Sequence, residues 1–372
     1  MSPVPTSSPA AEQEMLEAAR GGDESAFANL VEPYRSELQA HCYRMLGSVH
    51  DAEDALQEAL LRAWRGLKRF EGRSSLRSWL YTIATNACLD SIAKRPKRVL
   101  PTEYPAADPS EGPGEPLIET VWVEPYADEA MGVEDGPAAP EARYEQREGV
   151  ELAFIAALQY LPATQRAVLI LREVLGFSAN EAAEVLETTT ASVNSALQRA
   201  RASVDDRLPE RTQQETLRTL GDEQITELVE SYVEAWERAD VEKVVSMLSE
   251  EAAFTMPPLQ SWFSGREEIR AFLAYSPLGG DWKWRAQRVR ANGQEALAFY
   301  SWDDRTQNYQ RFALNVLTFD PDGKISQVDA FLTRVAEDPD REVILRMPEQ
   351  EFDRRRIEAA FERFGLPTEL SS

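Results

Sequence analysis

Two consecutive amphipathic helices of opposite charge constrain this chain more than any other feature. The first is written in Asp51-Ala-Glu-Asp54-Ala-Leu-Gln57-Glu58-Ala-Leu-Leu-Arg62-Ala-Trp64. The second follows at once, in Leu76-Arg-Ser-Trp79-Leu-Tyr-Thr-Ile-Ala-Thr-Asn86-Ala-Cys-Leu-Asp90. In both, apolar residues return at intervals of three and four, the period that gathers them on one face of a helix. The same period runs from Glu12 to about Pro96, with Gly21-Gly22-Asp23, Gly47-Ser48 and Gly72-Arg-Ser-Ser75 dividing it into separate helices. An all-α bundle over 12–98 follows, preceded by a Pro-, Ser- and Ala-rich tail, 1–11, whose composition predicts disorder.

Charge narrows the reading. The formal net charge of -24 argues against a protein that coats DNA along its length. That charge is uneven, however. Ten Lys and Arg stand between Arg62 and Arg98 against only Glu71 and Asp90, whereas thirteen Asp and Glu stand between Pro101 and Gly149. A local basic patch on an acidic chain suits contact with DNA at one chosen surface. No apolar run approaches membrane-spanning length and the start lacks a signal-peptide pattern, so no membrane contact is expected. Cys42 and Cys88 sit in helical apolar patterns and read as buried free thiols, which implies a cytoplasmic location.

Residues 99–147 are acidic and rich in proline and read as an extended linker. One island breaks the pattern: Val121-Trp122-Val123-Glu-Pro125-Tyr126. A solvated linker gains nothing from exposed Val121, Trp122 and Tyr126, so this island is expected to dock on a folded surface. Helical periodicity returns over 148–208. There Ser178 with Glu181 forms the sequence signature of a capping box. A short helix, a Thr-rich turn and a second helix with Val193 and Leu197 inward make a helix-turn-helix. The second helix exposes Ser192, Asn194, Ser195, Gln198, Arg199 and Arg201, side chains that hydrogen-bond base edges and phosphates.

From about Gly221 the character changes: helices come first, then β-rich runs separated by turns, an α+β order over 222–336. A tail, 337–372, carries an amphipathic helix over Glu349 to Phe364, with Gly365 placed to cap it.

The Asp-Ala-Glu-Asp-x-x-Gln-Glu block, the Leu-x-x-Trp-Leu-x-x-Ile-Ala-x-Asn block and a helix-turn-helix beyond an acidic linker together resemble the extracytoplasmic-function sigma factors of the sigma-70 family. The resemblance covers about residues 14–100 and 148–208. It implies an all-α region two and an all-α region four, with RNA polymerase core and promoter DNA as partners. Asp51, Asp54, Gln57 and Glu58 then fall where such factors meet the β′ coiled coil of the polymerase. Arg73, Ser74, Arg77, Trp79, Asn86, Lys94 and Arg95 fall where they read and melt the −10 element, although Trp79 equally fits a core. The helix-turn-helix residues would read the −35 element, and the helices before it would meet the β flap. Asn194 stands where many relatives carry a basic residue, which shifts the −35 grip from charge toward sequence.

Residues 222–336 resemble, more loosely, the cone-shaped α+β domains of SnoaL-type polyketide cyclases, ketosteroid isomerases and nuclear transport factors. Trp236, Trp262, Trp284, Tyr300, Trp302 and Asp329 are the candidate pocket residues for a small-molecule ligand. The only histidines, His41 and His50, lie in the first domain, which leaves Asp303, Asp304 and Asp329 as acid/base candidates. Asp329 alternates onto the strand face of Phe331. No metal-ligand spacing, phosphate-binding glycine loop or nucleophile motif is present. The expectation is therefore a sigma factor without catalytic activity or cofactor, regulated in cis by its C-terminal domain. The rival is a helix-turn-helix regulator whose C-terminal domain senses a ligand or acts as an enzyme.

Overall fold

The helical first hundred residues form α1 (Pro9–Arg20), α2 (Glu24–Val31), α3 (Arg35–Leu46), α4 (Val49–Gly66) and α5 (Leu76–Ile92) in a computed structural model of the chain. The structure describes residues 9–72, 74–95, 97–108, 122–131, 148–275, 277–333 and 359–371. It divides into two compact units. One comprises Met1–Lys97 with Ile155–Arg207, the other Arg98–Phe154 with Leu208–Ser372.

In the first unit each helix start is capped by the residue type its sequence offers. Asp23 accepts the amides of Ser25 and Ala26, Ser48 that of Asp51, and Ser75 that of Ser78. These bonds satisfy amides that a helix start leaves unpaired. Leu38, Cys42 and Met45 of α3 share a buried core with Leu56 and Ala59 of α4 and Leu80 and Cys88 of α5. Both cysteines are free thiols, as the pattern predicts. Gly47 ends α3 at φ 67°, and a Cβ there would stand 3.1 Å from the Gln159 side chain. Only glycine combines that backbone with that close approach.

The later helices of this unit are α6 (Leu152–Leu158), which starts just before it, α7 (Ala163–Leu169), α8 (Ala179–Val185) and α9 (Thr190–Asp205), with a π-helical turn at Ile170–Val174. Ser178 and Glu181 make the expected capping box on α8, and Thr189 caps α9. These helices pack on the first bundle. Gln159 Nε2 donates to the Arg44 carbonyl at 3.4 Å, and Tyr81 meets Phe177 edge-on at 5.2 Å. Arg166, 5 % exposed, donates to the Met45 carbonyl and to Gln159 Oε1 at 2.7 Å. Burial pushes its pKa down to about 10.

The second unit has α10 (Gln213–Leu220), α11 (Asp222–Glu237), α12 (Val241–Ser246) and α13 (Arg266–Tyr275) with β1 (Leu248–Thr255), β2 (Trp262–Ser264), β3 (Trp284–Ala291), β4 (Gln294–Asp303), β5 (Asn308–Phe319), β6 (Ile325–Leu332) and the short β7 (Glu369–Leu370). The sheet order is β2-β1-β6-β5-β4-β3, with β7 added to β5. β1 and β6 run parallel and the other pairs antiparallel. One face of the sheet, with Leu297, Phe299, Leu317, Val328, Ala330 and Leu332, joins Trp236, Phe254 and Phe272 in the core. The residues between them, Ala296, Ala298, Tyr300, Leu314, Val316 and Phe331, point the other way and are buried too. A sheet covered on both faces explains why β4 reads as a nearly continuous apolar run rather than an alternation.

The boundary drawn at 147/148 does not coincide with the change in compactness, because residues 148–154 go with the C-terminal unit. Of the expected C-terminal helix, 359–363 is helical and Phe361 is buried 5.2 Å from Tyr300; the stretch 349–358 lies outside the described residues. No helix among the described residues is long and apolar enough to cross a membrane.

Candidate nucleic-acid interface

Helix α4 turns one side to solvent. Asp54, Gln57 and Glu58 are exposed there, Glu58 paired with Arg62 at 2.7 Å and Asp54 3.7 Å from His50. Leu61, one turn on, is 49 % exposed. Asp51 departs from the expected surface: it is 2 % exposed and ion-paired with Arg95. Its carboxylate holds α4 to the turn after α5 instead of facing outward.

Beside these acids, α4 and α5 enclose an open groove of about 340 Å³ lined by Arg62, Gly66, Arg69, Trp79, Ile83 and Asn86. Trp79 serves both readings made of it. Its ring meets Phe70 at a tilt, 4.8 Å between centroids, and its half-exposed remainder forms the groove wall. Arg62 and Arg69 were not singled out from the sequence for this place. They stand four and three residues from Gly66, where a Cβ would lie 3.4 Å from the Trp79 ring. Ser74 is half-buried and Lys94 exposed, while Arg73 lies outside the described residues. Arg77 is committed elsewhere. Its guanidinium bonds Glu37 at 2.9–3.1 Å and lies 4.9 Å over Tyr81 and 5.0 Å over Phe177. Glu37 and Phe177 are far from Arg77 in sequence, so no local pattern announces the arrangement.

On α9, Val193, Ala196, Leu197, Ala200 and Val204 are buried, and Ser192, Asn194, Ser195, Gln198, Arg199 and Arg201 are all exposed on the other side. Ser192 is tied to the Thr189 cap at 2.9 Å, and Arg201 pairs with Glu173 at 2.6 Å. Asn194, Ser195, Gln198 and Arg199 form a polar ridge along the helix.

In the second unit the six candidate pocket residues separate. Trp236 and Trp284 line a cavity between the sheet and the helices, together with Phe299, Phe312 and Asn315. Its volume is about 30 Å³, enough for a water or two and no polycyclic ligand. Asp329 and Tyr300 are on the opposite face of the sheet. This corrects their place as pocket residues: the alternation along β6 puts Ala330 and Leu332 inward and Asp329 with Phe331 outward. Asp329 accepts from Thr255 Oγ1 at 2.8 Å and Gln327 Nε2 at 2.9 Å, and burial still raises its pKa to about 6. Trp262 bonds the Tyr104 carbonyl at 2.7 Å and Trp302 bonds Asp304 at 2.8 Å, both away from the cavity.

The linker island docks on this unit. Trp122 is 6 % exposed, its Nε1 donates to the Pro258 carbonyl at 3.1 Å, and Tyr104 packs edge-on against it at 5.8 Å. Tyr126 is buried as well; Val121 lies outside the described residues.

Comparison with known proteins completes the picture. The family description "Sigma-70 region 2" matches residues 30–98, "Sigma-70, region 4" matches 151–204 and "SnoaL-like domain" matches 229–328. The chain is 43% identical over 320 residues to the ECF RNA polymerase sigma factor SigG of Mycobacterium tuberculosis, covering 84% of this chain and 82% of that protein. The chain belongs to the ECF RNA polymerase sigma factors. A second relative of this sigma factor, the RNA polymerase sigma-H factor of Pseudomonas aeruginosa, is 28% identical over 197 residues, covering 53% of this chain and 93% of that one. Among solved structures, the Mycobacterium tuberculosis extracytoplasmic function sigma factor SigJ covers 86% of this chain and 100% of its own at 21% identity and a TM-score of 0.49. The matches to region two and to SigG favour the sigma factor over the rival helix-turn-helix regulator with a ligand-sensing or enzymatic C-terminal domain. Sigma factors bind core polymerase and promoter DNA.

Proposed function

We propose that this sigma factor grips core polymerase through the exposed acids of α4, captures an unpaired −10 base in the adjoining groove, and reads the −35 element with the ridge on α9. The groove carries the reading. Melting a promoter requires a site that holds a base out of its stack, and the groove offers a π face on Trp79, an amide on Asn86 and the exposed Arg69 for phosphate. Stacking of this kind contributes about 1–3 kcal/mol per base. Asp54, Gln57, Glu58 and the exposed Leu61 supply charge and an apolar contact for the basic β′ coiled coil, whose approach acidic side chains would steer. The β flap remains the partner for the helices that precede α8.

The C-terminal domain regulates rather than catalyses in this reading. Its cavity is small and apolar, and its buried carboxylate, Asp329, faces away from it. Run-off transcription with purified core polymerase on genomic templates tests the whole proposal. Promoter-specific transcripts are expected only when chain and core are combined, with Trp79→Ala and Asn86→Ala failing on duplex promoters but recovering on templates already open at −10. Equal loss of the two variants on pre-melted templates would refute base capture.

A further inference from the structure

The turn between β3 and β4 holds the two arms of the linker at one point. Asn292, fully buried, accepts the Tyr126 amide at its Oδ1 and donates from Nδ2 to the Val150 carbonyl, both at 2.8 Å. Its own amide donates to the Tyr126 carbonyl at 2.9 Å. Gly293 donates to Asp128 Oδ1 at 2.7 Å, and Gln294 Oε1 accepts the Leu152 amide at 3.0 Å. The chain thus leaves this turn at Tyr126 and comes back to it at Val150. A second closure lies upstream, where Val99 and Trp122 form a parallel bridge and Arg98 bonds the Trp122 carbonyl at 2.8 Å.

These closures shorten the linker sharply. Extended, the chain from Val99 to Val150 could span about 170 Å at ~3.4 Å per residue. With both closed, the path reduces to Trp122–Tyr126 and two lateral steps, on the order of 30 Å. Elements centred near −35 and −10 lie roughly 25 base pairs apart, about 85 Å of duplex. Two modules with radii of gyration near 10–12 Å cover part of that and leave the linker about 50 Å to bridge. The doubly closed linker cannot do so.

We propose that Asn292 is a positioning residue, a latch that holds both linker arms short, and that promoter engagement at both elements requires its release together with parting of the seam at which Arg166 and Phe177 pack on the first bundle. The inference rests on the sigma reading and deepens the cis regulation it contains. Asn292 is suited to the task because its amide accepts from one arm through Oδ1 and donates to the other through Nδ2. At φ 55° it also occupies a backbone conformation that glycine keeps, so Asn292→Gly removes the side-chain bonds without disturbing the turn.

The test uses the full chain labelled at two exposed positions, Ala93→Cys in region two and Ala202→Cys in region four; the native cysteines are buried. Asn292→Gly is expected to shift the label separation in the free chain to longer values and to raise run-off transcription about ten-fold, the weight of one or two lost hydrogen bonds in an opening equilibrium. Asn292→Asp, which still accepts from Tyr126 but sets a buried carboxylate oxygen against the Val150 carbonyl, is expected to lengthen the separation at least as much as Asn292→Gly. Unchanged separations with unchanged transcription would overturn the latch, as would longer separations with a fall in transcription. A wild-type chain that gives no promoter-specific transcript with core would refute the sigma reading, while the separation measurement would still judge the latch.

Discussion

Glu58 illustrates how little an exposed charge does for this fold and how much it can do for a partner. It pairs with Arg62, which also reaches Asp90 at 2.8 Å, and all three are well exposed. Exposed pairs of this kind contribute about 0–1 kcal/mol. Glu58→Lys should therefore leave helicity and melting temperature nearly unchanged while weakening core binding at least ten-fold in a titration. Glu151 is the opposite case, 5 % exposed, with its carboxylate accepting the amides of Gln213 at 3.2 Å and Gln214 at 2.8 Å. Burial raises its pKa to about 7 despite those bonds, and Glu148 adds to the rise. Between the unfolded value of 4.5 and about 7 the folded chain holds a proton that the unfolded chain has lost. Stability from this group is thus greatest at low pH and falls as pH rises through that window. Glu151→Gln should flatten the loss of urea resistance between about pH 5 and pH 7 relative to wild type. A parallel shift of both curves would show that Glu151 is already ionised in the fold.

Elements differ in how openly the sequence declares them. Helix α9 is legible in full: its inward Val193 and Leu197, its Thr189 cap and its outward polar side chains all follow from spacing. The acids of α4 and the Trp79–Asn86 pair on α5 are legible for the same reason, as both lie on one helix. What the sequence hides is whatever a distant element decides. Asp51 belongs to the acidic pattern, yet Arg95 draws it inside. Arg77 belongs to the basic one, yet Glu37 and Phe177 hold it in a seam. The same holds in the sheet, where alternation groups Asp329 with Phe331 correctly but cannot say which face the cavity occupies. Because the α9 ridge is free of the core, its residues can be tested without harm to the fold. Arg199→Ala should cost about 1–3 kcal/mol of binding at promoters with a matched −35 element, and little at promoters lacking one. Equal losses on both, measured by run-off on paired templates, would remove the recognition role.

At the scale of the whole molecule, the linker is best understood as part of the C-terminal unit rather than as a tether between helical modules. Its island had no reason to be apolar unless covered, and Trp122 is covered, by Tyr104 and the loop that carries Pro258. Truncating a buried tryptophan typically costs about 3–5 kcal/mol, here spent on docking rather than on either helical module. Trp122→Ala should then loosen the upstream arm, where Arg98 and Val99 meet the island, and lengthen the reach available for promoter binding. Removal of the chain from Gly221 onward deletes the surface itself and should do the same more completely. Both changes are expected to raise run-off transcription, and the truncated chain should gain nothing further from Trp122→Ala, because the residue no longer has a surface to leave. A double change that adds the two effects would mean that Trp122 acts on transcription by a route independent of the C-terminal domain. Opposite signs would mean that docking holds the linker in a form the polymerase requires.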